Sequence, residues 1–187
     1  MAIRAYGVES VEFAPIGVDG ALPTTGWVKI TNIDEGSVTF NVPEVTQNNI
    51  RVEDVDGIVD VLPGETEPAE ISVASLDIDG DKVADLIGGV YTPGVPAVEE
   101  PPTPAVPAAY DAPAVSEIKH LAIRVTSRPH RGKKFQFHLV DAAVVSNISA
   151  TFTRNQMVSL GFTARSTTPF DGDGLPVSPW GWKVIEV

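Results

Sequence analysis

Four aspartates within nine residues are the part of this sequence whose residue types and spacing most suggest chemistry. They fall at positions 1, 3, 5 and 9 of a calcium-loop pattern: Asp77, Asp79, Asp81 and Asp85. Carboxylate oxygens at that spacing could surround one ion. The stretch is not an EF-hand, because its glycine stands at position 4 and Gly88 replaces the glutamate of position 12. Lys82 also brings a cation into the loop.

The same stretch fits a strand that leads into one short helix over about residues 80–88. Ile71 and Val73 alternate with smaller or polar residues, which is typical of a strand. Asp79 stands where an N-cap belongs, and Ile78 and Val83 have the spacing of a hydrophobic staple. Val83, Leu86 and Ile87 share one face, and Gly88 and Gly89 supply a stop. We favour the capped helix over a calcium site.

The composition indicates a mainly β chain. The 187 residues suit one domain, 1–187, and include 16 prolines, 16 glycines and no cysteine, so there is no disulfide or thiolate metal site. No apolar run is long enough to span a membrane, and no signal peptide is visible near Met1. The pattern predicts a β-sandwich or barrel of antiparallel strands with one short flanking helix and long loops.

The charge is distributed unevenly along the chain. Residues 1–117 hold 21 acidic and 4 basic side chains, a net charge of -17, whereas residues 118–187 hold 4 acidic and 9 basic ones, a net charge of +5. The acidic part should repel nucleic acid. The asymmetry suits copies that meet with acidic surface against basic surface, although a merely solvated acidic surface explains it equally well.

Two strands precede the acidic stretch. Trp27–Asn32 and Ser37–Val42 flank the turn residues Asp34, Glu35 and Gly36, so we predict a hairpin over Trp27–Val42. Residues 43–68 then carry seven acidic residues and one basic residue, with weak strand signals. We predict an extended acidic arm or long hairpin, whose candidate contact residues are Val45, Ile50, Arg51, Val52, Val55, Ile58 and Val59.

A proline-rich loop over about residues 91–116 follows the helix, with seven prolines between Tyr91 and Pro113. A second run of strands begins near Ile118, continues through Phe135–Val140, Val144–Thr153 and Met157–Arg165, and ends in an edge strand over Val184–Val187. The hairpin of the first two of these strands, with its turn at Ser127–Lys134, concentrates positive charge: Arg124, Arg128, Arg131, Lys133 and Lys134. These residues could contact phosphate or an acidic partner, but a solvated hairpin tip is the commoner explanation.

No catalytic constellation is visible in the sequence. The three histidines lie on different predicted strands or in a turn, none with a carboxylate at metal-ligand spacing, and the chain lacks a phosphate-binding glycine loop, GxSxG and HExxH. We therefore expect a protein that is not an enzyme and that needs no cofactor.

The order of elements resembles the tail tube proteins, or major tail proteins, of long-tailed bacteriophages. The resemblance rests on the strand Ile33–Val42, the acidic arm, the strand, cap, helix and Gly-Gly unit of Ile71–Gly89, and the phrases KHLAIRVTS and KFQFHLVDAAVVSNISATFTRNQMVSLGFTARS. It covers Asp34–Ser166 as a pattern of elements and short phrases. The proline-rich loop departs from the pattern and would decorate the outside of the tube.

The resemblance implies a structural virion protein that assembles with itself into hexameric rings. Stacked rings would form the tail tube, which guides tape measure protein and then double-stranded DNA, without specific DNA binding and without a membrane. Tail terminator and tip proteins would be further partners, and assembly would occur in the host cytoplasm. The acidic arm would reach a neighbouring subunit. The alternatives are a calcium-binding surface or adhesion module, and another phage part, either a head-tail joining ring or a capsid decoration.

We predict that the carboxylates between Asp77 and Asp85 cap the helix and bind no calcium, because Lys82 lies within the loop. Calorimetric titration with calcium should therefore give no heat beyond dilution, with or without prior chelator treatment. Micromolar binding that disappears in Asp79→Ala would contradict the prediction.

Overall fold

The structure, a computed structural model, describes residues 6–51, 53, 58–64, 67–76, 78–97, 104–115, 117–149 and 158–187. These residues form one α-helix, α1 (Gly80–Ile87), and a single 3-10 turn, Val18–Gly20. Twelve strands complete the described fold: β1 (Val8–Pro15), β2 (Val28–Ile30), β3 (Thr39–Asn41), β4 (Gln47–Ile50), β5 (Asp60–Pro63), β6 (Glu70–Ser75), β7 (Val90–Thr92), β8 (Ala109–Asp111), β9 (Lys119–Ser127), β10 (Lys133–Ser149), β11 (Ser159–Ser166) and β12 (Trp180–Glu186). The predicted mainly β fold with one short helix is confirmed.

The main sheet is antiparallel and is organised around β10. Its order is β2-β1-β9-β10-β11-β6-β3, and β12 also pairs with β10. The first half of β10 lies between β9 and β12, and the second half lies between β9 and β11. The register with β9 shifts between Leu139 and Ala142. Such an extra residue bends a strand and increases its twist. The two strands predicted over Phe135–Val140 and Val144–Thr153 are therefore one strand as far as the structure describes them.

The sheet closes on itself through the chain that follows β2. Ile30 pairs with Val11 of β1, but Ile33 bridges to Ser75 of β6, near the far end of the sheet. Two backbone hydrogen bonds of 2.9 Å support this bridge, from the Asp34 amide to the Ala74 carbonyl and from the Leu76 amide to the Asn32 carbonyl. The Ser75 hydroxyl also donates to the Thr31 carbonyl at 2.8 Å. The sheet thus forms a barrel closed along this contact.

The predicted hairpin over Trp27–Val42 is wrong. Its two strands have different partners, since β2 pairs with β1 and β3 pairs with β6. Ile33 and β3 both run antiparallel to the same strand, β6, so the chain does not reverse between them. In the turn at Asp34–Ser37 the Ser37 amide donates to the Asp34 carbonyl. This turn interrupts the extended chain between Ile33 and β3 and does not fold it back.

The core consists of the alternate residues of the barrel strands. In β6 the buried residues are Ile71, Val73 and Ser75, which is the alternation expected of a strand with one buried face. Apolar partners from the neighbouring strands and from α1 complete the core: Val11, Phe13, Ile30, Val83, Leu86, Ile123, Leu139, Val144, Leu160 and Phe162. Full burial of a side chain of this size stabilises the fold by about 1.5–3 kcal/mol, so the core determines the register.

The helix forms where the sequence predicts it. The Asp79 side chain accepts a hydrogen bond from the Asp81 amide, which confirms the N-cap, and Val83 and Leu86 are buried. Gly88 ends the helix at φ 91°, a conformation that favours glycine. Ile78 is 41% exposed, so it does not bury itself against the first turn as a staple would. The Ser146 hydroxyl donates to the Leu86 carbonyl at 3.3 Å and ties α1 to β10.

The proline-rich segment is a hairpin at its base and not only a loop. β7 pairs with β8, and the backbones of Val95 and Val106 exchange two hydrogen bonds of 2.9 Å. The Tyr110 hydroxyl donates to the Gly88 carbonyl at 2.7 Å, and the Tyr91 ring packs against Gly80. The predicted edge strand also differs, because β12 begins at Trp180 and not at Val184. Both differences arise because the backbone pairing of strands extends beyond the positions where apolar and polar residues clearly alternate.

We predict that residues 96–105 are dispensable for folding, because the contacts with α1 come from β7 and β8. Replacing 96–105 by a two-residue turn should leave the thermal unfolding transition cooperative and close to that of the parent chain. As a matched control, Tyr110→Phe removes only the hydrogen bond to Gly88 and should cost about 1 kcal/mol. Loss of the cooperative transition in the shortened chain would contradict the prediction.

Candidate assembly interface

The acidic loop before α1 contacts that helix through Asp79. The Asp79 carboxylate lies 3.4 Å from the Lys82 ammonium and accepts from the Asp81 amide at 3.3 Å. Burial raises the pKa of Asp85, the nearby Asp81 raises it further, and Lys119 opposes the rise. Asp77 lies outside the described residues. Within the part of the chain that is described, no group of three or more acidic or histidine side chains could hold a metal.

The described part of the acidic arm contains one two-stranded hairpin. β4 pairs only with β5, in a sheet separate from the barrel, and every residue of β4 is exposed. The candidate residues Val45, Ile50, Ile58 and Val59 are between 38% and 54% exposed. Arg51 is also exposed. Val52 and Val55 lie outside the described residues.

Both faces of this hairpin carry apolar side chains. Asn48 stands opposite Leu62 and Asn49 stands opposite Val61, so Leu62 and Val61 point to opposite faces. Each is nearly half exposed. An isolated two-stranded ribbon in water is marginally stable, because it cannot bury an apolar face. The apolar side chains of this hairpin therefore remain exposed on both faces within the single chain.

Three of the five predicted basic residues are already in ion pairs within the chain. Arg124 pairs with Glu12, and its guanidinium lies 4.1 Å from the centre of the Trp27 ring. Lys133 and Lys134 pair with the carboxylates of Glu186 and Glu9, at 3.1 and 2.8 Å. Spacing in the sequence could not reveal these partners, because the ones that neutralise Arg124 and Lys134 lie more than a hundred residues away. Their charge is less available to an acidic partner.

The other two basic residues lie at the turn between β9 and β10. Arg128 is exposed, and its Nε donates to the Val8 carbonyl at 3.4 Å. Arg131 is exposed at φ 52°, in the left-handed region that this tight turn requires. No ion pair with either residue is found among the described residues. Of the five predicted basic residues, the two that the structure leaves outside ion pairs therefore lie together at this turn.

A cleft of about 680 Å³ lies where β1 separates from the chain after β2, and nothing in the sequence pattern predicts it. Its lining is mainly apolar and includes the charged residues Arg128, Asp34 and Glu35. The apolar residues that line it come from four strands and the connection before β3: Val8, Ile33, Val38, Phe40, Val125 and Phe137. The cleft exists because closure at Ile33 and Ser75 leaves the start of β1 without a partner on that side.

A second feature that sequence reasoning missed lies on the outer face of β10. The His138 ring packs against Gly181 of β12, where an added Cβ would lie 2.9 Å from Nε2. Burial lowers the pKa of His138, and the charge of Lys183 lowers it further. His138 Nδ1 is buried without a hydrogen-bond partner among the described residues. The cross-strand neighbour of His138 in β9 is Arg124, whose guanidinium is paired with Glu12.

Comparisons with known proteins give this chain no family: no family model matches it, and no curated protein matches it. Among the described residues, no helix is long and apolar enough to cross a membrane.

We predict that acidification destabilises the fold through His138. Because its pKa in the folded state lies below the ordinary value of 6.5, the unfolded state binds the proton more tightly. Stability is therefore full above that value and falls as the pH drops below it. The melting temperature should decrease between about pH 8 and about pH 5, and His138→Gln should reduce this decrease. A decrease that His138→Gln leaves unchanged, like that of the control His130→Gln, would contradict the prediction.

Proposed function

We propose that this chain is a structural virion protein that polymerises as stacked hexameric rings into a phage tail tube. The observation that carries the proposal is the β4–β5 hairpin, whose apolar side chains are exposed on both faces. A surface of this kind is costly for a monomer and useful for an assembling subunit. The mainly β barrel with one helix agrees with the fold that the resemblance implies.

The charge supports a role as a conduit for DNA. A tube built from a chain of net charge -12 would present few cations to the phosphate backbone. Binding of DNA by proteins depends on cations that release counterions from the phosphates, so an acidic lumen would let DNA pass without adhering. In this proposal the partners are further copies of the chain, tape measure protein within the tube, and terminator and tip proteins at its ends. The tail of the virion would be its location.

The rival functions predict different observations. A calcium-dependent adhesion module would require the acidic loop, but Asp79 caps α1 and pairs with Lys82. A head-tail joining ring or a capsid decoration would form single rings or remain monomeric. Negative-stain microscopy of the purified protein separates these classes, because only the tail tube proposal requires long hollow tubes.

We predict that the hairpin is required for assembly and not for folding. Replacing residues 46–61 by a short Gly-Ser linker removes exposed apolar surface and none of the described core residues, so a monomer with an unchanged cooperative unfolding transition is expected. Under the microscope this variant should form no tubes. The chain that lacks residues 96–105 is the matched control, since it loses a segment between the paired residues Val95 and Val106 and should still assemble. Normal tubes from the 46–61 variant would remove the main support for the proposal.

A further inference from the structure

We propose that β4 of one copy adds as a strand to the free edge of β12 in a second copy. This inference rests on the proposed function, because it names the contact through which the copies would join. Strand addition uses main-chain hydrogen bonds for affinity, so both partners must present unpaired backbone groups. The structure shows where such groups lie on each strand.

The free edge of β12 can be located from two hydrogen bonds at its ends. The Val187 amide donates to the Gly132 carbonyl at 2.9 Å, and the Val140 amide donates to the Pro179 carbonyl at 3.0 Å. Both bonds place the odd-numbered residues of this strand in bonded pairs with β10. Because bonded and non-bonded pairs alternate in an antiparallel ladder, the backbone groups of Trp182, Val184 and Glu186 point away from β10.

This edge is unusually open. β12 has seven residues, whereas β2 and β3, the strands at the two ends of the sheet order, have three each. No strand among the described residues pairs with its outer side. It contains no proline, and Trp182 is 56% exposed while its ring stacks on Phe135 at 4.9 Å. Long edges without protection of this kind attract further strands.

In the hairpin, β4 has the open edge and β5 does not. The Gly64 amide donates to the Thr46 carbonyl at 2.7 Å, so the backbone groups of Gln47 and Asn49 point outward from β4. By the same alternation, the backbone groups of Val61 and Pro63 point outward from β5. Proline has no amide hydrogen, and the Val61 amide already donates to the Asp60 carboxylate at 2.8 Å. β5 is therefore blocked on its outer side.

The two open edges match in spacing and charge. Gln47 and Asn49 are two residues apart, as are Trp182 and Val184, so four residues can form one short antiparallel or parallel ladder. Lys183 is exposed between Trp182 and Val184, and β12 belongs to the part of the chain with net charge +5. The hairpin belongs to the part with net charge -17. Within one chain β4 and β12 remain unpaired with each other, so the partner is a second copy.

Crosslinking between copies tests the contact, and the absence of native cysteine makes the test clean. Asn49→Cys and Val184→Cys chains are mixed under assembly conditions and treated with a short bismaleimide. We expect a crosslinked heterodimer as the dominant product. The control pair Asn49→Cys with Val145→Cys uses a valine of β10 that is more exposed than Val184 and should give no such band. Equal yields from both pairs would overturn the proposal.

The other outcomes identify other occupants of the edge. Dimers formed by Val184→Cys alone would show that β12 meets β12. An intrachain crosslink in the double variant, without heterodimer, would show that the hairpin folds onto its own β12. Either result overturns the proposal. Tubes without any heterodimer would also overturn it while leaving the tail tube function standing, whereas the absence of both tubes and crosslinks would refute both.

A proline variant supplies an independent measurement. Val184→Pro removes an amide hydrogen that points outward, so the ladder between β12 and β10 keeps its bonds. The variant should retain the thermal unfolding transition of Val184→Ala and lose assembly, as measured by sedimentation and microscopy. If Val184→Pro is folded and still assembles as Val184→Ala does, β12 is not the receiving edge.

Discussion

The backbone ladder of β10 is the interaction on which the rest of the structure depends. This one strand of 17 residues pairs with β9 on one side and with β12 and then β11 on the other. Its register shift between Leu139 and Ala142 lets the strand bend, and the bend allows β11 and β6 to approach the chain after β2. Barrel closure, the position of α1 and the exposed edge of β12 all follow from it.

Closure of the barrel also determines which surfaces remain unsatisfied. The bridge between Ile33 and Ser75 gives the end of β6 a hydrogen-bonding partner. It also leads the chain after β2 away from β1, and this separation opens the cleft beside Arg128. The hairpin of β4 and β5 leaves the barrel between β3 and β6 and buries none of its β4 residues. The core is fully buried, whereas the described residues of the β4–β5 ribbon and the outer edge of β12 stay open.

Electrostatics act differently at short and long range in this protein. Close to the barrel, Glu12 and Glu9 neutralise Arg124 and Lys134, so these cations serve the fold. Over longer distances the acidic and basic parts of the chain keep opposite net charges. At ordinary ionic strength, salt screens the attraction between exposed charges that lie more than about 10 Å apart. In protein interfaces generally, charge of this kind favours one orientation more than it supplies affinity.

The sequence by itself determined the local features of this protein. The cap at Asp79, the buried face of α1, the strand of β6 and the exposed apolar hairpin all follow from residue type and short-range spacing. The tertiary structure alone decided which strands pair, and so it replaced the hairpin predicted over Trp27–Val42 with pairs to β1 and β6. It also decided that Arg124 is neutralised and that β12 has a free edge. The physical reason is that alternation of apolar and polar residues shows which face of a strand is buried. The partner of a strand depends instead on backbone hydrogen bonds between residues far apart in the chain, and every residue type offers nearly the same backbone groups.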